Sequence, residues 1–223
     1  LELWIKHESL PSGDNQTLVG KGVSVDTTLS YAFYSQDDGG TKYLRFLFTT
    51  AGTYEAGNDV RVTWTPSVDT WYHVAVTYNT TGPEVKFYLD GVQQGATQTP
   101  TNTSIFDSSA ALYLGDSAGG SNFDGQMDDN RIWNTVRTVT QINDNKSIEL
   151  VGNESGLQAY WPYEAAIGTT TSTSSSTSTT STSTSTTSTS SSTSTTSTSS
   201  STSTTTSTST STTSTSSSTS TST

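Results

Sequence analysis

The first 135 positions read as short strands and turns, and in two of the strands apolar and polar residues alternate clearly with a period of two. In Val85-Lys86-Phe87-Tyr88-Leu89 the odd positions are apolar and Lys86 falls on the other face. In Trp71–Tyr78, Tyr72, Val74, Val76 and Tyr78 share one face, while His73, Ala75 and Thr77 share the opposite one. Such a period belongs to a half-buried strand. Asp90-Gly91 supplies positive φ for a two-residue hairpin turn, and Val92 continues the pattern beyond it. Similar β-branched or aromatic runs stand at Leu1–Lys6, Thr28–Tyr34, Tyr43–Thr49, Asp59–Trp64, Ala111–Leu114 and Gln126–Trp133, separated by Gly, Asp and Asn clusters. Helical spacing occurs only in Thr138–Leu150, where Val139, Ile142 and Ile148 are placed to face a core. Gly156–Trp161 reads as a closing strand ended by Pro162. Short strands at this spacing predict an all-β, antiparallel sandwich or jelly roll.

The pattern stops abruptly. From Thr169 to Thr223 all 55 residues are Ser or Thr, so every charged and aromatic residue lies in 1–168. Two parts are therefore expected: a folded domain over 1–168 and a low-complexity stalk over 169–223. With no apolar side chain the stalk cannot bury a core. Its composition is that of an O-glycosylated, mucin-like segment, with acceptors at Thr169, Thr170, Thr171, Ser172, Thr173 and on through Thr223. Residues 180–195 recur identically as 206–221, the mark of an expanding repeat. As a coil this stalk would span about 40 Å, and extended by dense glycosylation about 170 Å.

The formal charge of −11 belongs wholly to the first part. It argues against nucleic acid and anionic membranes as partners, and is compatible with bound cations. No apolar run approaches the length of a membrane span. Without cysteine there are no disulfides, thiol chemistry or Cys-type metal sites. The sequence opens at Leu1-Glu2-Leu3-Trp4 with neither initiator Met nor leader, as expected of a mature product or a fragment. Five Asn-x-Ser/Thr sequons, at Asn15, Asn79, Asn102, Asn145 and Asn153, are candidate N-glycosylation sites.

Several motifs in order resemble the laminin-G-like, concanavalin-type jelly roll. They are Trp71-Tyr72-His73-Val74-Ala75-Val76-Thr77-Tyr78, Phe87-Tyr88-Leu89-Asp90-Gly91, Leu112-Tyr113-Leu114-Gly115 and the run Phe123–Asn134, with Leu3-Trp4-Ile5-Lys6 and Gly20-Lys21-Gly22 before them. The resemblance covers residues 1–165 and implies the fold. It says less about function, because the family includes lectins, adhesion modules and domains appended to enzymes. In two places the sequence departs from the family. Asp129-Asn130 puts a polar Asn where the family packs an aliphatic side chain. The family also begins one strand earlier, so the closing strand Leu157–Trp161 is expected to lack its neighbour unless an upstream segment or another chain supplies it.

Glycoside hydrolysis needs two carboxylates about 5.5 Å or 6.5–9.5 Å apart. The hydrolase members carry them on one strand as E-x-D-x-x-E, a spacing absent here; Glu84 and Asp90 only bracket a strand. His7 and His73 are the two histidines, and His73 reads as a strand residue of the fold. No enzyme is expected. Calcium is the one cofactor considered, with Asp116, Asp124, Asp128 and Asp129 as candidate ligands beside Asn122, and a second loop pair at Asp14-Asn15. The other role open to Asp128 is to hold a turn or to pair with Arg131. For sugar stacking the candidates are Tyr31, Tyr34, Tyr43, Tyr54 and Trp64. The expected function is a non-catalytic extracellular or cell-surface protein, a subunit of a fibre or adhesin with a glycosylated stalk, whose partners are other copies of itself and glycans. The alternative is a lectin module tethered to a polysaccharide-degrading enzyme.

Overall fold

The structure is a computed structural model that describes residues 1–22, 28–116 and 120–163. The O-glycosylation sites expected from Thr169 to Thr223, and the domain boundary at 168, lie outside the described residues. Two antiparallel sheets face each other. One has the order β11(Leu157–Trp161), β10(Gly125–Trp133), β1(Glu2–His7), β6(Trp71–Asn79), β7(Glu84–Leu89), β8(Val92–Gln98). The other has the order β5(Asp59–Thr63), β4(Thr41–Phe48), β3(Tyr31–Asp38), β2(Asn15–Lys21), β9(Leu112–Leu114). The all-β sandwich is the expected fold.

Alternation explains the core. Leu3 and Ile5 of β1, Val74 and Val76 of β6, and Val85 and Phe87 of β7 meet Phe33 of β3 and Leu44, Phe46 and Phe48 of β4. His7 continues the inner row of β1 and spans the two layers, its Nε2 lying 3.0 Å from Ser35 Oγ. At the turn between β7 and β8, Asp90 and Gly91 have φ of 52° and 84°, as their sequence requires. Gly91 serves a second purpose, because a Cβ there would meet Cα of Asn143 at 2.9 Å. The helix α1(Val139–Asn145) seats directly on that turn, opened by a capping box between Thr138 and Gln141.

The structure corrects several expectations. Strand β2 occupies a stretch that the sequence pattern assigns to loop, since Asn15, Gln16 and Thr17 are polar and a register shift between Thr17 and Val19 spoils the alternation. Strands β3 and β4 run on through the polar Ser35–Asp38 and Thr41-Lys42, because Gly39-Gly40, with φ of 61° and 88°, closes a tight hairpin. Strand β3 starts at Tyr31 and not at Thr28. Of Val139, Ile142 and Ile148 only Ile142 is buried, packed on Ala75 and Tyr88; Val139 and Ile148 are about half exposed, and Leu150 at the end of the segment is buried.

The outer face beneath α1 carries a buried polar network. Arg131, 1% exposed, donates to the carbonyls of Asn145 (2.8 Å) and Ile148 (2.6 Å), and faces Glu2 at 3.8 Å and Asp129 at 3.2 Å. Trp133 donates to Glu2 and Trp4 to the carbonyl of Lys146. Burial, with the positive charges of Arg131 and Lys146, pushes His73 down to about 3. These bonds tie the loop after α1 to the sheet. The register of β10 shifts against β1 between Glu2 and Trp4, where Asp129 takes a φ of 49°. Arg131 then faces outward and Asn130 inward, on the side of Ile132. Asn130 is 1% exposed, and neither polar atom of its amide has a hydrogen-bond partner.

The two long flanks of the sandwich differ. On one, β8 lies against β5, with Gln94 Nε2 donating to the carbonyl of Thr63 at 3.1 Å. On the other, β11 and β9 are the outermost strands, and no strand lies beyond either among the described residues. Leu112, Leu114, Met127 and Ile132 pack on the core from this side and are only half-buried.

Candidate functional site

In β3, β4 and β5 the inner row is apolar apart from Ser35, Asp37 and Lys42, and the intervening residues reach the outer face of the five-stranded sheet. The register places Thr17, Tyr34, Arg45 and Arg61 in one row across four strands, with Asn15, Gln36, Tyr43 and Thr63 in the next. Two arginines side by side repel unless compensated. Each has a carboxylate. Arg45 grips Asp59 through Nε (2.7 Å) and Nη2 (2.6 Å) and gives Nη1 to Asn15 Oδ1 at 3.2 Å. Arg61 gives Nη1 to Asp38 (2.8 Å) and Gln36 (3.2 Å).

Aromatic rings complete the face. Arg61 stacks on Tyr43 at 4.1 Å and Arg45 lies over Tyr34 at 5.6 Å. Tyr54 is 53% exposed, and its hydroxyl donates to Asp59 Oδ2 at 3.0 Å. That bond raises the Tyr54 phenol above its ordinary value, so the ring stays a neutral donor held in one orientation. The result is a shallow depression of about 330 Å³ bordered by Gln36, Arg45, Tyr54, Asp59 and Arg61. It offers an exposed ring, fixed donors and fixed acceptors on a rigid sheet.

Of the stacking candidates, the structure gathers Tyr34, Tyr43 and Tyr54 on this face. Tyr31 packs against the core from the inner side, and Trp64, 4% exposed, is edge-on to Tyr72 inside the sandwich. The candidate calcium ligands spread out. Asp116 is exposed beyond β9, and Asp124 accepts from Ser9 Oγ. Asp128 accepts from the backbone N–H of Asp129, burial raising its carboxyl, while Asp129 accepts from Tyr160 at 2.6 Å and pairs with Arg131. Among the described residues, no three acidic or histidine side chains converge as a cation would require. Glu84 pairs with Lys86, and Asp90 accepts from the His73 backbone N–H.

The sequons also separate. Asn102 gives its amide to Glu55 (2.9 Å) and Asn58 (3.3 Å), and Asn145 gives its own to the carbonyl of Gln141 (2.7 Å). Asn15 and Asn79 use only their side-chain oxygens, toward Arg45 and the Thr81 N–H; Asn153 is exposed. The residues that sequence reasoning missed are Arg45, Asp59, Arg61, Gln36 and Asp38. Their signal was the outward half of the alternation in β4 and β5, which carries charge where the inward half carries Leu, Phe and Val.

The family model for the concanavalin A-like lectin/glucanases superfamily matches residues 1–143, well over half of the sequence, and the chain belongs to that family. No curated protein matches it. A candidate carbohydrate-binding protein from Bacteroides ovatus is similar in structure, with a TM-score of 0.56, 26% identity and 72% of this chain covered. The chain spans 44% of that protein's length. A heptameric SAP-like pentraxin from Limulus polyphemus matches at a TM-score of 0.49 and 16% identity, over 64% of this chain and 66% of its own. Domain 4 of an extracellular arabinanase from Geobacillus stearothermophilus, in complex with arabinotriose, matches at 0.48 and 21%, over 64% and 63%.

Proposed function

We propose that this member of the concanavalin A-like superfamily is a non-catalytic, extracellular glycan-binding adhesin, whose sheet face takes the sugar and whose Ser/Thr segment is a glycosylated stalk. The observation that carries the reading is the outer face of the five-stranded sheet. Tyr54 presents an exposed ring beside the fixed Arg61–Asp38 and Arg45–Asp59 pairs. A pyranose has an apolar face for the ring and hydroxyls for the polar groups. The likeness to the Bacteroides ovatus protein supports it. The non-catalytic part rests on the engagement of both carboxylates of the face by guanidinium groups, which suits them to hold a ligand and not to attack or protonate one. The 55-residue Ser/Thr segment suits a stalk that holds the domain away from a surface, and copies of the same chain are its expected neighbours.

The test is native affinity electrophoresis in gels cast with polysaccharides. Retardation of the intact chain, lost in Tyr54→Ala and in Arg61→Ala proteins that melt like the parent, supports the reading. Migration unchanged by every polysaccharide refutes it.

A further inference from the structure

We infer that the glycan taken by this face is uncharged, and that the Arg61–Asp38 pair holds it through hydroxyl groups; this rests on reading the face as a glycan site. Both arginines of the face are already matched. Arg45 is closed on Asp59 and Asn15, with side chains of Arg45 and Asp59 only 14% and 15% exposed. Arg61 and Asp38 form the one of these pairs open to solvent, at 41% and 57% exposure.

The chemistry of that open pair selects its ligand. Arg61 spends only Nη1 on Asp38 and Gln36, so Nε and Nη2 remain as donors. Asp38 keeps an acceptor oxygen beside them. A hydroxyl both donates and accepts, and adjacent hydroxyls of a sugar can answer the guanidinium and the carboxylate together. A uronate carboxylate or a sulfate ester only accepts. To take the free Nε and Nη2 of Arg61 it would have to sit against the Asp38 carboxylate, which repels it, and to take Arg45 it would have to displace Asp59. The net charge of −11 adds repulsion of polyanions at longer range. Tyr43 is already covered by Arg61, so Tyr54 is the ring left for stacking.

The experiment is titration calorimetry of the intact chain with neutral glucans, galactans, mannans and arabinans, and with sulfated or uronate-bearing polymers, at low and high salt. Binding of a neutral polymer is expected, with a Kd that salt shifts by less than about twofold. Asp38→Asn should weaken that binding by about tenfold or more, the scale of one hydrogen bond to a charged group. Binding confined to the acidic polymers and weakened by salt overturns the inference while leaving a glycan site in place. Neutral binding indifferent to Asp38→Asn and Arg61→Ala also overturns it, and binding of no polymer overturns this inference and the glycan-binding reading together.

Discussion

His7 makes the domain sensitive to mild acid. Its ring is fully buried between Trp64 and Phe123, with centroids at 5.7 and 5.0 Å, and Nδ1 has no partner. Burial, only partly opposed by the negative charge of Asp124, pushes it from 6.5 down to about 4. Because the folded value is the lower one, the unfolded chain takes up the proton first. The stabilisation is whole above pH 6.5 and is lost as pH falls toward 4, below which both states are protonated. At about 1.4 kcal/mol per pH unit, the loss is about 1 kcal/mol by pH 5.5 and about 3 kcal/mol by pH 4. For a domain of this size the first step lowers the melting temperature by roughly 2–4 °C. The assay compares melting curves of the parent and His7→Leu from about pH 7 to about pH 4.5. Leucine keeps the volume and cannot protonate, so its profile should be flatter by the amount above, whatever the offset at neutral pH. His73, pushed down to about 3 chiefly by its own burial, leaves a residual slope of the same sign in both proteins. Parallel profiles would refute a buried, neutral His7.

Asn130→Val should raise stability in urea by about 1–3 kcal/mol, since it removes a buried amide with no partner; a fall would mean that the amide is satisfied. Arg131→Met should cost about 3–5 kcal/mol, because Glu2 is left buried without its cation and the carbonyls of Asn145 and Ile148 lose their donor. Glu2→Gln in the same protein should recover part of that loss, and a cost under about 1 kcal/mol would contradict the network. Expressed through a eukaryotic secretory pathway, the folded protein should carry N-glycan at Asn153 and none at Asn102, whose amide is spent on Glu55 and Asn58; glycopeptide mass spectrometry reads both. Intact mass should exceed the 23.6 kDa polypeptide by many hexose-sized units within residues 169–223, and an unmodified stalk would refute its O-glycosylation.

Much of this fold was legible because alternation and turn chemistry are local. Val85–Leu89 with Asp90-Gly91, and the two faces of Trp71–Tyr78, read from the sequence as the structure has them. Strand β2 was not legible, since a bulge buries Leu18 and Val19 together and a period of two never appears. The helix was legible, but its buried face shrinks to Ile142, because the loop after it is held by Arg131 and Trp4 through hydrogen bonds and not by Ile148 packing. For the site, the tyrosines could be named but not gathered. Trp64 and Tyr54 look alike as candidates, and only the inward turn of the chain after β5 separates a core ring from a surface one. The pairing of Arg45 with Asp59, fourteen positions apart, depends on the β4–β5 register, which no single segment encodes.

The position of β11 at the rim has a mechanical meaning. A tension transmitted to the domain through the residues after Trp161 would fall first on a strand that, among the described residues, is held on one side only, through its pairs with Asn130–Trp133 and the Tyr160–Asp129 bond. Pulled sideways, that strand would unzip one rung at a time; pulled along its length, its rungs would share the load. Strand β1 lies between β10 and β6, so the core would outlast the release of β11, and a tethered head would lengthen before it let go.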